Sequence, residues 1–205
     1  MTTEEYDELL IDEQDGVALV KLNRPHKLNS WGGNMNAQLN RYLLSLNEGG
    51  YRVRAVVLTG EGRAFSAGGD VSSFPAADPD AERPPWRPSH PHLQLVHTMR
   101  HCDVPIIGAI NGLCYGGGTV MATSMDFLLG CERTSFRFLA VNYGQMNATW
   151  SLPTMVGWPK AKELLYSGRE VFAEEAYRIG LLNHLVPSDQ LLEKAVEAGA
   201  GIAKN

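Results

Sequence analysis

Pro105-Ile106-Ile107-Gly108-Ala109-Ile110-Asn111-Gly112-Leu113-Cys114-Tyr115-Gly116-Gly117-Gly118 decides how this chain is read. An apolar run with the length and β-branched content of a buried strand passes into a glycine turn, and Thr119-Val120-Met121-Ala122-Thr123 continues as helix. A similar junction lies upstream, where Val53-Arg54-Ala55-Val56-Val57-Leu58-Thr59 leads to Phe65-Ser66-Ala67-Gly68-Gly69-Asp70. Glycine lets a backbone N–H approach a ligand with no side chain in the way, and it permits the positive φ values such turns use. If the two loops meet, two N–H donors converge on one acceptor, the device that stabilises an enolate or a tetrahedral intermediate. The helix after the second loop adds the positive end of its dipole.

Working outward, Val17-Ala18-Leu19-Val20-Lys21-Leu22 and Asp126-Phe127-Leu128-Leu129-Gly130 also read as strands. Between the first two strands, Met35, Leu39, Tyr42, Leu43 and Leu46 recur at helical spacing and end near Gly49-Gly50. Strand, helix, strand in that order predicts a crossover joining parallel neighbours. The C-terminal third reads as helical: Pro159 opens a helix that stops at Gly168, a second runs from Ala173 to Gly180, and a third starts at Ser188. No internal repeat is visible.

Composition narrows the function classes. Of 205 residues, 44% are hydrophobic and 20% charged, which suits one domain with a well-buried core and no disordered bias. The net charge of −5 argues against a nucleic-acid or anionic-membrane partner. Arg24, His26, Lys27, Arg52 and Arg54 are the only basic groupings, and they read as solvated loop charges. Cys102, Cys114 and Cys131 lack disulfide or zinc-ribbon spacing, so a reducing cytoplasm is expected. The acidic N-terminus is unlike a targeting peptide, and no apolar run reaches the length of a membrane span. From Phe74 to Pro91 six prolines mark a long loop, either a functional lid or a disordered connection. His90, His92, His97 and His101 follow without a third ligand type at metal spacing, so no metal site is expected; a helix there turns His97 and His101 to one polar side.

Four segments together resemble the crotonase (enoyl-CoA hydratase/isomerase) superfamily. Leu22-Asn23-Arg24-Pro25-His26-Lys27-Leu28-Asn29 is similar to its N-R-P-x-x-x-N turn, Gly60 through Asp70 to its first oxyanion loop, and Pro105 through Gly118 to its second. Ser167-Gly168-Arg169, Ala173-Glu174-Glu175-Ala176 and Gly180 through Pro187 are similar to its later helix and exit strand. The resemblance implies an α/β fold, a crotonase-like spiral of β-β-α units with C-terminal helices. Residues 1–157 would form the spiral core and residues 158–205 the start of the helical region of a single domain. It further implies an acyl-CoA substrate, coenzyme A entering only as part of that substrate with no separate cofactor, and a homotrimer or hexamer. The N–H groups of Gly69 and Gly117 would hold the thioester oxygen, and Arg24, Lys27, Asn29, Ala67, Gly68 and Asp70 would line the coenzyme A end.

The same resemblance exposes departures. Hydratases of the family use two glutamates as base and acid; Val120 and Ala140 stand at those positions, and a third acidic position used by some isomerases falls on Gln145. Each positioned proton-transfer group contributes about 10²–10⁴ in rate, so ordinary hydration is expected to be very slow. Tyr143, Gln145 and Asn147 could orient a water or a substrate carboxylate, while Asp126, Glu132 or His97 could supply a proton, although Asp126 reads better as structural. The expected function is a lyase or isomerase acting on acyl-CoA through a stabilised enolate. The alternatives are a non-catalytic acyl-CoA-binding member and a true hydratase with substitute acid and base. The sequence ends at Asn205, before the family's further C-terminal helices, so it reads either as a shortened member or as a piece of a longer chain.

Overall fold

The computed structural model describes residues 6–32, 34–48, 50, 52–69 and 91–205, with side chains from residue 94 onward in the last segment. Asp70 and the proline-rich stretch before Pro91 lie outside the described residues, as do His90 and the His92 side chain.

Six strands form one sheet in the order β1 (Leu9–Gln14), β2 (Val17–Leu22), β3 (Ala55–Gly60), β5 (Ile106–Ile110), β7 (Phe127–Gly130) and β10 (His184–Leu185). Only β1 runs antiparallel to its neighbour, across the turn at Asp15 and Gly16; the remaining pairs are parallel. Helix α1 (Met35–Glu48) joins β2 to β3 as the expected crossover between parallel neighbours. A second sheet contains four short strands in the order β4 (Ala64–Ser66), β6 (Leu113–Tyr115), β8 (Ser135–Arg137) and β9 (Glu170–Phe172).

Each long strand passes within a few residues into a short one: β3 into β4, β5 into β6, β7 into β8. Helix α2 (Pro91–Arg100) precedes β5, helix α3 (Gly117–Ala122) follows β6, and a 3-10 segment, Leu139–Tyr143, follows β8. The unit is thus repeated in space although no repeat is visible in the sequence. Three-residue strands leave too few side chains to register as a period, which is also why β4, β6, β8 and β9 escape a sequence reading.

The apolar runs of the long strands follow from burial on both faces. Val56, Leu58, Ile106, Ile110 and Leu128 point into the main core with Leu39, Tyr42 and Leu43 of α1 and Leu95 and Met99 of α2. Their neighbours Val57, Ile107, Ala109 and Leu129 point the opposite way, against Leu191 and Ala195 of helix α7 (Leu191–Ala203). Gly199 lets α7 lie close to the sheet, since a Cβ there would stand 3.2 Å from Val17 Cγ1. The other helices are α4 (Leu152–Val156), α5 (Trp158–Ser167) and α6 (Ala173–Arg178).

Beyond the core, Arg169 bridges α5 and α6, donating to Glu163 Oε1 at 2.6 Å and to both Glu175 oxygens at 2.6 and 2.8 Å. Hydrogen bonds from Arg169 hold the Glu175 carboxyl below the usual range, and those from Lys160 and Arg169 do the same for Glu163. Depressed carboxylate pKa values contribute stability above the unfolded-state pKa that is lost as pH falls through the folded-state value. Wild-type protein is therefore expected to lose stability more steeply than Arg169→Gln below about pH 4.5, as read by urea midpoints measured across an acid series. Equal slopes would show that the network contributes nothing to folding.

Candidate active site

The first oxyanion-type loop is built by a clamp that starts far upstream. After the 3-10 turn Pro25–Lys27, Leu28 and Asn29 both adopt left-handed backbone, at φ 51° and 52°. Asn29 is fully buried and uses its whole amide: Oδ1 accepts from the Arg24 N–H at 2.8 Å, and Nδ2 donates to Glu61 O at 3.0 Å and Ala64 O at 2.9 Å. Asn29 O accepts from Ser66 Oγ at 2.7 Å, and Ser66 Oγ in turn accepts from the Gly68 N–H at 3.2 Å. Ala67 N–H donates to Leu28 O at 2.9 Å, and Trp31 N–H to Gly68 O at 2.6 Å.

That last bond belongs to a parallel bridge between Trp31 and Gly69. Because Gly68 supplies the carbonyl, the N–H of Gly69 itself points away from the pairing. Gly117 is the first residue of α3, a position with no carbonyl one turn earlier to receive its N–H.

The two loops meet. Gly68 has φ +90°, and a Cβ there would lie 2.6 Å from Tyr115 O and 2.7 Å from Gly117 N, so only a bare backbone fits. A Cβ on Gly117 would stand 3.4 Å from Gly69 N and 3.2 Å from Trp31 Cδ2. Gly69 and Gly117 both line a cavity of about 460 Å³ with Trp31, Ala67, Val96, Gly116, Val120, Leu139, Ala140 and the segment Tyr143 to Trp150 apart from Gly144. Among the described residues that line it there is no carboxylate. Val120 and Ala140 both line the cavity, and so do Tyr143, Gln145 and Asn147. Tyr143 is 64% exposed and Gln145 is exposed, which places both at the rim.

Other site candidates take different places. Arg24 is buried, its guanidinium paired with Glu8 at 3.1 Å and donating to Ser30 O at 2.8 Å, so its side chain holds the turn together. Lys27 is exposed on that turn. Asp126 Oδ2 accepts from the Ile106 N–H at 2.7 Å and anchors the start of β5, as its structural reading expects. Glu132 accepts from the Ser188 N–H at 3.0 Å, away from the cavity lining. His97 and His101 are exposed, with rings stacked 4.1 Å apart. Among the described residues no group of three or more side chains is placed to hold a metal ion, and no helix is long and apolar enough to cross a membrane.

Trp31 is the residue that sequence reasoning passes over. It is 4% exposed and covers Gly117 with its indole. The available signal was its place two residues after Asn29 and directly before Gly32-Gly33, where a large flat ring stands within a turn.

Comparison with known proteins agrees with this architecture. A family model described as enoyl-CoA hydratase/isomerase matches residues 12–205. The chain belongs to the enoyl-CoA hydratase/isomerase family. A relative from Mycobacterium leprae described as a probable enoyl-CoA hydratase is 35% identical over 196 residues, covering 91% of this chain and 66% of the relative. The chain thus spans about two thirds of that curated relative's length. Among solved structures, an enoyl-CoA hydratase from Bacillus anthracis superposes with a TM-score of 0.85 at 30% identity, over 97% of this chain and 77% of that one. A monofunctional enoyl-CoA isomerase from M. smegmatis gives 0.78 at 32% identity, over 95% and 84%. The α/β spiral expected from the sequence is therefore the fold of this family member.

The Asn29 clamp can be tested directly. Asn29→Ala strands buried partners and places alanine at a positive φ, so a loss of about 2–4 kcal/mol is expected. Denaturant unfolding of the variant beside the wild type checks it; a loss under about 0.5 kcal/mol, within the ordinary scatter of surface substitutions, would remove Asn29 as the organiser of the loop.

Proposed function

We propose that this family member binds an acyl-CoA thioester and stabilises its enolate, acting as a lyase or isomerase rather than as an ordinary hydratase. What supports this reading is that Gly69 and Gly117 line one cavity together with Val120 and Ala140, which stand at the positions where the family resemblance puts the hydratases' glutamates. In this reading the thioester oxygen accepts from both N–H groups. Negative charge moves onto that oxygen as the enolate forms, and fixed donors in a water-poor site stabilise it more than the neutral carbonyl.

The coenzyme A end lies along Arg24, Lys27, Asn29, Ala67, Gly68 and Asp70. Arg24 and Asn29 contribute backbone there, because their side chains are committed to the clamp. Tyr143 and Gln145, at the cavity rim, orient a water or a substrate carboxylate. Coenzyme A enters as part of the substrate, no separate cofactor is required, and a homotrimer or hexamer is the assembly proposed. Family membership leaves the reaction open, since the similar proteins include both a hydratase and an isomerase.

Gly117→Val puts bulk against Trp31 and Gly69 N. Acyl-CoA is expected to raise the melting temperature of the wild type and to leave that of a folded Gly117→Val variant unchanged. An equal shift in both would remove the oxyanion assignment. Crotonyl-CoA hydration by the wild type is expected to be at least about 10²-fold slower than that of an enzyme with both carboxylates. Brisk hydration would overturn the non-hydratase reading. Binding without turnover of any enoyl- or β-keto-acyl-CoA would favour a purely binding role.

A further inference from the structure

We propose that His97 and His101 form a two-imidazole clip for a divalent transition-metal ion of the zinc, nickel and copper class, on the surface of α2 and apart from the cavity. The two residues stand four apart, the spacing that puts side chains one above the other on one face of a helix. The backbone bond from the His101 N–H to His97 O is intact at 3.1 Å, so helical spacing holds through this pair at the end of α2. Both rings are exposed and lie face to face, with centroids 4.1 Å apart and planes 17° apart. Two nitrogens bound to one ion at about 2.0–2.1 Å, in neighbouring coordination positions, lie about 3 Å from each other. Exposed rings already this close reach that separation by small turns about their side-chain bonds.

A hydrogen bond decides which nitrogen of His101 is free. Its Nδ1 stands 2.9 Å from His97 O, and a carbonyl can only accept, so in the neutral ring Nδ1 carries the proton and Nε2 keeps its lone pair. Donating one ring N–H to a backbone carbonyl is how metal-ligating histidines fix their tautomer and orientation. The His97 ring makes no hydrogen bond among the described residues, so both of its nitrogens are open. The adjacent face of the same turn is committed to α1: Thr98 Oγ1 donates to Asn40 Oδ1 at 2.6 Å, and Cys102 Sγ lies 3.8 Å from Asn47 Oδ1. With no third side chain placed to join them among the described residues, water completes the coordination shell. Imidazole nitrogen selects zinc, nickel and copper over magnesium and calcium, which prefer oxygen. An ion bridging the two rings would brace the last turn of α2, which carries Val96 on the cavity wall and Arg100, its guanidinium 4.6 Å from the centre of the Trp150 ring.

The test is a calorimetric titration of the untagged protein with Ni²⁺ at neutral pH, repeated on His97→Ala, on His101→Ala and on a variant carrying both His90→Ala and His92→Ala. Each single variant is expected to bind Ni²⁺ at least about tenfold more weakly than the wild type, because one imidazole alone forfeits the second, intramolecular bond. Both side chains are exposed, so these variants keep the fold. The His90 and His92 variant is expected to bind as the wild type does, and Mg²⁺ is expected not to compete. Ni²⁺ is also expected to raise the melting temperature of the wild type more than that of either single variant. The proposal is overturned if the wild type takes up no Ni²⁺, or if either single variant binds as tightly as the wild type. It falls equally if loss of His90 and His92 weakens binding tenfold, since the ion would then be held elsewhere on that stretch.

Discussion

The contact on which the rest of the molecule depends is a place where two backbones touch with nothing between them. Gly68 approaches Tyr115 O and Gly117 N so closely that any side chain at position 68 would be driven into main-chain atoms that have nowhere to go. Close-packed interiors accommodate such a demand only by moving whole elements apart. The close approach of the two loops thus requires that position 68 carry no side chain. What the sheets supply in return is rigidity: β4 and β6 pair in parallel, so the two glycine loops leave neighbouring strand ends in a constant relation.

Rigidity at this point matters because, in the function proposed above, the donors are main-chain groups. A side chain can rotate towards a ligand, but a peptide N–H is aimed only by the path of its chain. Here the path is set by side chains of asparagine and serine and by bridging carbonyls, all satisfied among themselves. Preorganised dipoles of this kind need no rearrangement as charge develops.

Much of this was legible in the sequence. The long strands announced themselves because β3 and β5 are buried on both faces, which forces unbroken apolar runs such as Val56-Val57-Leu58 and Ile106-Ile107. Helix α1 was readable from one buried stripe, Met35, Leu39, Tyr42, Leu43 and Leu46. The glycine loops were visible, and with them Gly69 and Gly117. What could not be read was which partner each turn residue would choose. That the Arg24 guanidinium is taken by Glu8 and Ser30 cannot be read from the N-R-P turn. Trp31 drew no reading from the sequence, and only the bridge to Gly69 sets this core residue beside the two glycine loops. Short strands such as β4 and β8 carry no period at all, and their existence follows only from the sheet that they share.

The bonds that assemble the cradle also join parts of the chain that are far apart. Asn29 reaches a carbonyl 35 residues away, Thr59 one 50 residues away, and Asn111 reaches back 49 residues to Gly62. Closing loops of that length is an entropic cost met before the contacts give anything back. The bonds that shape the first loop all fall within residues 24–69, and the second loop joins it only where Gly68 meets Tyr115 and Gly117. In the function proposed above, the two donors share one cavity only where β3 pairs with β5 and β4 with β6, so acyl-CoA binding would report on the joined sheets rather than on either loop alone.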